Sequence, residues 1–366
     1  MSECRATPER RAGYYSPRPG RQIVVGGVEI GGGSPVTVQS MTTTNTADIA
    51  GTAAQINRLA RLGCDIVRVA VPDMAAADAI EGIKKLISIP LVADIHFNHK
   101  LAIRAVQAGA DKIRINPGNI GSADNVRAVA DVCAKKDIPI RVGVNSGSLS
   151  KDILSKYGGV TPEAMLESAL ENIRLLNRFD FNDICVSVKS SSVPLTVAAY
   201  QLLHWQTDYP LHLGVTETGF GKTGLVKSAI GIGALLVNGI GDTIRVSLTA
   251  PPELEIESAL IIMRSLGLRK GYDLISCPTC DRCGIDLIPI AEEVERRLAA
   301  LDMKITVAVM GCPVNGPGEA SRADYGIAGG EGCGVIFRKG KIHKKVDMNN
   351  LVDELFIAIE SGESKT

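Results

Sequence analysis

No stretch of this chain approaches the roughly 18 uncharged apolar residues that a membrane-spanning helix needs. Nor does residues 1–20, MSECRATPERRAGYYSPRPG, contain the apolar core of a secretory signal. A polar, basic arm over 1–20 and a cytoplasmic location are therefore expected. Net charge is also missing. Forty lysines and arginines balance forty aspartates and glutamates, so no broad basic face recommends a nucleic-acid or membrane-surface partner. A flavin or nicotinamide fingerprint is absent, and GKTG at 221–224 lacks the spacing of a phosphate-binding P-loop. Nine cysteines is an odd number for a disulfide framework.

What remains is a chain rich in short apolar runs. Its 366 residues are 45% hydrophobic, enough for two domains with their own cores. Strand-like runs fall at 36–41, 64–71, 90–96, 112–117, 139–145, 183–189, 210–217 and 241–248. Helix-like segments such as 50–62, 75–87, 122–136, 161–177 and 222–238 lie between them. Eight nearly continuous apolar strands, alternating with helices, predict a closed parallel (β/α)8 barrel of the TIM type rather than an open sheet. The segment 21–32 reads as a hairpin plugging the barrel's N-terminal end. Cys64 and Cys185 sit in or beside strands and read as small core residues.

The C-terminal ends of these strands are polar, offering Gln39, Arg68, Asp94, His96, Arg114, Asn116, Arg141, Asn145, Lys189, Glu217, Arg245 and Ser247. In a barrel they would converge on one mouth, where loops build active sites. Arg68, Arg114, Arg141 and Arg245 are each flanked by apolar residues. An inward guanidinium is costly unless it meets an anion. A ring of pairs with Asp94 and Glu217 would satisfy only part of this charge. The surplus predicts a polyanionic small substrate such as a diphosphate, whose oxygens match guanidinium forks.

The pattern changes near residue 270. Cys277, Cys280 and Cys283 form a C-x2-C-x2-C run, and Cys312 follows in GCPVNGPGE. One helix and one strand between them could return Cys312 to the first turn. Clustered thiols at this spacing point to metal. A structural zinc knuckle, a ferredoxin-like cluster on four cysteines, and a catalytic cluster with three cysteines and a displaceable fourth ligand all fit. Cys333 adds to the ambiguity.

The ordered motifs QSM, VRVAVPD, ADIHF, RINPGNIG, VGVNSGSL, VSVKSS, HLGVTETG, GDTIRVSL, CPTC, GCPVNGPGE and YGIAGG closely resemble the 4-hydroxy-3-methylbut-2-enyl diphosphate synthase family. The similarity runs from about residue 18 to about 358. It implies an N-terminal arm over 1–20, a TIM-type barrel over 21–268 and a small α+β domain over 269–366 carrying a [4Fe–4S] cluster. By the same resemblance, Cys277, Cys280, Cys312 and Glu319 would hold the cluster. Arg68, His96, Arg114, Arg141, Lys189, Arg245 and Ser247 would hold a diphosphate, and Asn315 would face substrate. Asp94, Asn145 and Glu217 would surround the reacting carbons, with Glu217 as proton donor.

The implied reaction is reductive ring opening of 2-C-methyl-D-erythritol 2,4-cyclodiphosphate. Its electrons would come from a flavodoxin or ferredoxin, and the chains would assemble as a head-to-tail homodimer. Two features depart from the family pattern: Cys283, expected to be a bystander thiol, and MTTTNT, which puts Thr43 at a usual asparagine. A non-redox sugar-phosphate barrel with a structural zinc, or an iron-sensing nucleic-acid binder, are the rival classes. Metal identity separates the first, and the lack of a basic stripe argues against the second.

Overall fold

The computed structural model describes residues 20–301, 303–312, 318, 320–330 and 332–363. They divide into two compact units, one ending at Leu268 and the other beginning at Arg269.

The first unit opens with a hairpin, β1 (Gln22–Val25) and β2 (Val28–Gly31), turned by Gly26 and Gly27. Both glycines have positive φ, as a two-residue hairpin turn of matching twist demands. Eight parallel strands follow: β3 (Thr37–Met41), β4 (Ile66–Ala70), β5 (Leu91–Asp94), β6 (Lys112–Ile115), β7 (Ile140–Asn145), β8 (Ile184–Lys189), β9 (His212–Leu213) and β10 (Thr243–Ile244). They pair in the order β8-β7-β6-β5-β4-β3-β10-β9, and a parallel bridge between Val186 and Leu211 closes the ring. The (β/α)8 reading of the sequence is correct. The last two strands are shorter than the sequence runs, ending at Leu213 and Ile244.

Among the described residues, nine helices surround the barrel: α1 (Ile49–Arg61), α2 (Met74–Lys84), α3 (His99–Gln107), α4 (Ala123–Ala134), α5 (Lys151–Tyr157), α6 (Pro162–Asn177), α7 (Val193–Gln206), α8 (Gly221–Leu236) and α9 (Pro252–Ser265). Most start on a side chain that accepts a hydrogen bond from the first turn, as Asp48, Asp73, Ser122, Thr161 and Ser192 do. Such caps satisfy otherwise orphaned N–H groups and fix where each loop at the barrel mouth ends. Outward strand residues such as Val67, Leu91, Ile113 and Val186 join the apolar faces of these helices in one core. At the opposite end, Ile23, Val25 and Ile30 of the hairpin pack on Ile66, Val92 and Cys185, sealing the bottom of the barrel.

The second unit is a five-stranded sheet in the order β11 (Tyr272–Ser276), β12 (Ile305–Met310), β13 (Tyr325–Gly329), β14 (Cys333–Arg338) and β15 (Lys341–Asp347). The first three strands are parallel, and the last two return antiparallel. Helices α10 (Leu287–Leu298) and α11 (Leu351–Glu363) contribute Val294, Leu298, Leu355 and Ile359 to a core with Val307, Ile327 and Ile336. Among the described residues no helix is long and apolar enough to cross a membrane.

Candidate active site

The alternation of side chains along parallel strands decides which residues enter the barrel. Register sets Asp94 beside Arg114, Arg114 beside Arg141, and Asn145 beside Lys189. Asp94 is the hub of the mouth. Arg114 Nη1 donates to its Oδ1 at 3.1 Å, and Arg68 Nε and His96 Nε2 stand 3.7 and 3.6 Å from its Oδ2. Burial opposes charge on Asp94, but Arg68, the nearby His96 ring and Arg114 together hold its carboxyl well below the usual range. It is an anion under all ordinary conditions.

The other cations are less well matched. Arg68 also points Nε and Nη2 at Met41 Sδ, at 3.1 and 3.0 Å, a weak acceptor. Arg141 is 1% exposed and donates from Nη1 to Gln39 Oε1 at 3.2 Å. Arg245 reaches Glu255 at 3.5 Å. The Nε atoms of Arg114, Arg141 and Arg245 are buried without a hydrogen-bond partner. Lys189, also buried, has its ammonium disfavoured by burial and then by Arg141, Arg245, Arg68 and Arg114. Arg68, Arg114, Arg141, Lys189 and Arg245 thus face two buried carboxylates, Asp94 and Glu255. The pairing of arginines with Glu217 expected from the sequence does not form: the second acid of the ring is Glu255 on α9, whereas Glu217 is exposed.

Two glycines make room for these side chains. A Cβ on Gly143 would lie 2.5 Å from Arg114 Nε. One on Gly214 would lie 2.6 Å from both Lys189 Nζ and the Arg245 carbonyl oxygen. Real Cβ atoms do not approach so closely, so the cations lie across the barrel in slots that only glycine leaves open.

The remaining candidates ring the mouth. Glu217 adopts a left-handed backbone at φ 53°, an uncommon state for a residue with a side chain and one that clusters at functional sites. Its neighbour Thr218 donates from its hydroxyl to the Ser247 carbonyl, tying that loop to the next. Asn145 ends β7, with Ser148 Oγ bonded to both its N–H and its carbonyl. Asn116 is buried, and its Oδ1 lacks a hydrogen-bond partner. Thr43, at the departure from the family pattern, is held by Gln55 through two bonds of 2.9 Å, one to its N–H and one to its hydroxyl.

In the second unit, β11 and β12 run parallel with Ser276 opposite Val309. Cys277 and Gly311, which follow those strands, therefore meet: Gly311 N–H donates to Cys277 Sγ at 3.1 Å. Hydrogen bonds from the backbone and side chain of Arg282 lower the exposed Cys280 thiol from its ordinary value, which favours thiolate there. Cys283 is engaged otherwise. Its thiol donates to Ile285 O at 3.2 Å and packs where a Gly311 side chain would be. Cys64, Cys133 and Cys185 are buried, as core residues would be. Glu319 and Asn315 lie outside the described residues. Among the described residues no three His, Cys, Asp or Glu side chains stand close enough together to hold a metal ion.

Pattern-reading missed Glu255, Lys112 and His212. Lys112 and His212 are fully buried barrel-interior residues with an unpartnered nitrogen each. They begin their strands, and in sequence a strand-starting lysine or histidine resembles one reaching for solvent. The alternation KIRI, which puts Lys112 on the face of Arg114, was the available signal.

Residues 20–260 match the GcpE TIM-barrel domain, and residues 273–361 match the GcpE protein C-terminal domain. The chain is 58% identical over 341 residues to the 4-hydroxy-3-methylbut-2-en-1-yl diphosphate synthase (flavodoxin) of Caldanaerobacter subterraneus subsp. tengcongensis, covering 93% of this chain and 96% of that protein. Proteins of the same name from Clostridium perfringens and Geobacter sulfurreducens are 56% and 54% identical, each over 93% of this chain and 98% and 97% of their own length. With both domains matched in order and identity this high over nearly the whole length, the chain belongs to the GcpE family.

Proposed function

We propose that this protein is an oxidoreductase that converts 2-C-methyl-D-erythritol 2,4-cyclodiphosphate to (E)-4-hydroxy-3-methylbut-2-enyl diphosphate, in isoprenoid precursor synthesis. Two electrons and two protons enter, the ring C–O bond breaks, and one oxygen leaves as water. The observation that carries this reading is the barrel's surplus of inward cations: among the described residues Arg68, Arg114, Arg141, Lys189 and Arg245, with Lys112 deeper in, face two buried carboxylates, and three guanidinium Nε atoms are unpartnered. A diphosphate supplies the missing acceptors in the geometry guanidinium prefers.

Arg68, His96, Arg114, Arg141, Lys189, Arg245 and Ser247 would bind and orient that diphosphate. Asp94 and Asn145 would position the sugar-derived carbons. Glu217, exposed at the mouth, would be the group that delivers a proton to the departing hydroxyl. None of these side chains supplies electrons, so a redox group is required.

The cysteine turn suits an iron–sulfur group. The ends of β11 and β12 bring Cys277 to Gly311, one residue before Cys312, and donors face the sulfurs of Cys277 and Cys280. Cys277, Cys280 and Cys312 would hold a [4Fe–4S] cluster, with Glu319 of the NGPGE run and Asn315 completing the substrate-facing side. When bound, the cluster would supply the two electrons, replenished by a flavodoxin or ferredoxin; the names of the bacterial relatives favour flavodoxin. Since the cationic well and the cysteine turn belong to separate compact units, a head-to-tail homodimer would let one subunit's turn serve its partner's barrel.

The test is the metal and sulfide content of anaerobically purified protein, with its visible spectrum before and after adding the cyclic diphosphate. About four irons and four sulfides per chain, and a spectrum perturbed by the substrate, are expected. One zinc and no visible band would retire the redox reading.

A further inference from the structure

We infer that Glu255 is a positioning residue that sets the orientation of Arg245 for the anionic end of the substrate. This deepens the diphosphate reading of the barrel and rests on it. Glu255 lies on α9, outside the strand ends that supply the other polar groups, yet it is 5% exposed and reaches back to the barrel. Two framework groups hold its carboxylate: Ser40 Oγ of β3 donates to Oε2 at 3.1 Å, and Leu248 N–H donates to Oε1 at 3.0 Å. Arg245 Nη2 approaches both oxygens at the longer distance of 3.5 Å. Its Nη1 meets only the sulfur of Met41, at 3.9 Å, and its Nε is buried without a partner.

The asymmetry assigns the roles. A carboxylate fixed by two shorter bonds is the anchor, and the guanidinium is the loosely held member. Glu255 supplies the charge that keeps Arg245 inside the barrel, while the Nε edge is left for an incoming anion. The same carboxylate holds the backbone at Leu248, next to Ser247, so one side chain on α9 orders two groups of the anion well.

The experiment is a double-mutant cycle read by calorimetric binding of inorganic pyrophosphate to the full-length protein. The variants are Glu255→Gln, which keeps an acceptor for Leu248 and removes the charge, Arg245→Met, and the pair. Glu255→Gln is expected to weaken pyrophosphate binding about tenfold alone and less than about twofold in the Arg245→Met background. Equal weakening in both backgrounds, unchanged binding, or tighter binding by Glu255→Gln would each overturn the assignment. If Glu255→Gln does not fold, Ser40→Ala loosens the anchor without touching the charge. It should weaken binding about threefold, again only when Arg245 is present, and additivity there would count against the proposal equally. A wild-type protein that does not bind pyrophosphate would refute the diphosphate reading itself, a different result from an additive cycle.

Discussion

At the scale of single residues, the barrel spends stability on charge and conformation. Glu217 in the left-handed region costs about 1 kcal/mol that glycine would not. Glu217→Gly is therefore expected to leave the denaturation midpoint unchanged or slightly raised while turnover collapses. A variant that retained turnover would remove Glu217 from the chemistry. Lys112 shows the electrostatic version. Burial, with Arg141 and Arg68, pushes it down to about 8 despite an opposing contribution from Cys185. Above that value the folded chain releases a proton that the unfolded chain still binds, so stability rises with pH from about 8 towards lysine's ordinary value near 10.5. Lys112→Met should abolish that rise and gain about 1–3 kcal/mol at neutral pH, measured as denaturant midpoints across the pH range. An unchanged slope would mean another group carries it.

Strands, helices and loops divided sharply in how legible they were. The eight strands and the helices between them could be read from periodicity, because burial on both faces of a parallel strand leaves an apolar run that few other structures tolerate. Strand ends β9 and β10 could not, since the apolar runs continue past Leu213 and Ile244, where the strands stop. The inward arginines were legible because charge inside an apolar run is conspicuous. Glu255 was not, because on α9 it belongs to PPELEIE, an ordinary acidic first turn. The glycine slots were equally hidden, being a relation between neighbouring strands. They are testable as elements: Gly143→Ala should push Arg114 off its position, cost about 1–3 kcal/mol as an overpacked core does, and weaken pyrophosphate binding by at least about tenfold. Calorimetry showing wild-type affinity in this variant would mean that Arg114 has room the structure does not indicate.

For the whole molecule, the proposed reaction needs the cationic well of one unit to serve with the cysteine turn of another. If partners exchange them, two inactive proteins should complement. Glu217→Gln and Cys277→Ser subunits, mixed under conditions that allow exchange, would form dimers with one intact pairing and recover about one quarter of wild-type activity. No recovery, with exchange verified by mass, would show that each chain works alone. The hairpin packed by Ile23, Val25 and Ile30 under the barrel adds a constraint on traffic. A vessel sealed at its base has one doorway, so the water made in the reaction must leave by the route through which the substrate came. Whatever covers the mouth during reduction therefore also detains that water, and uncovering must come before both products depart.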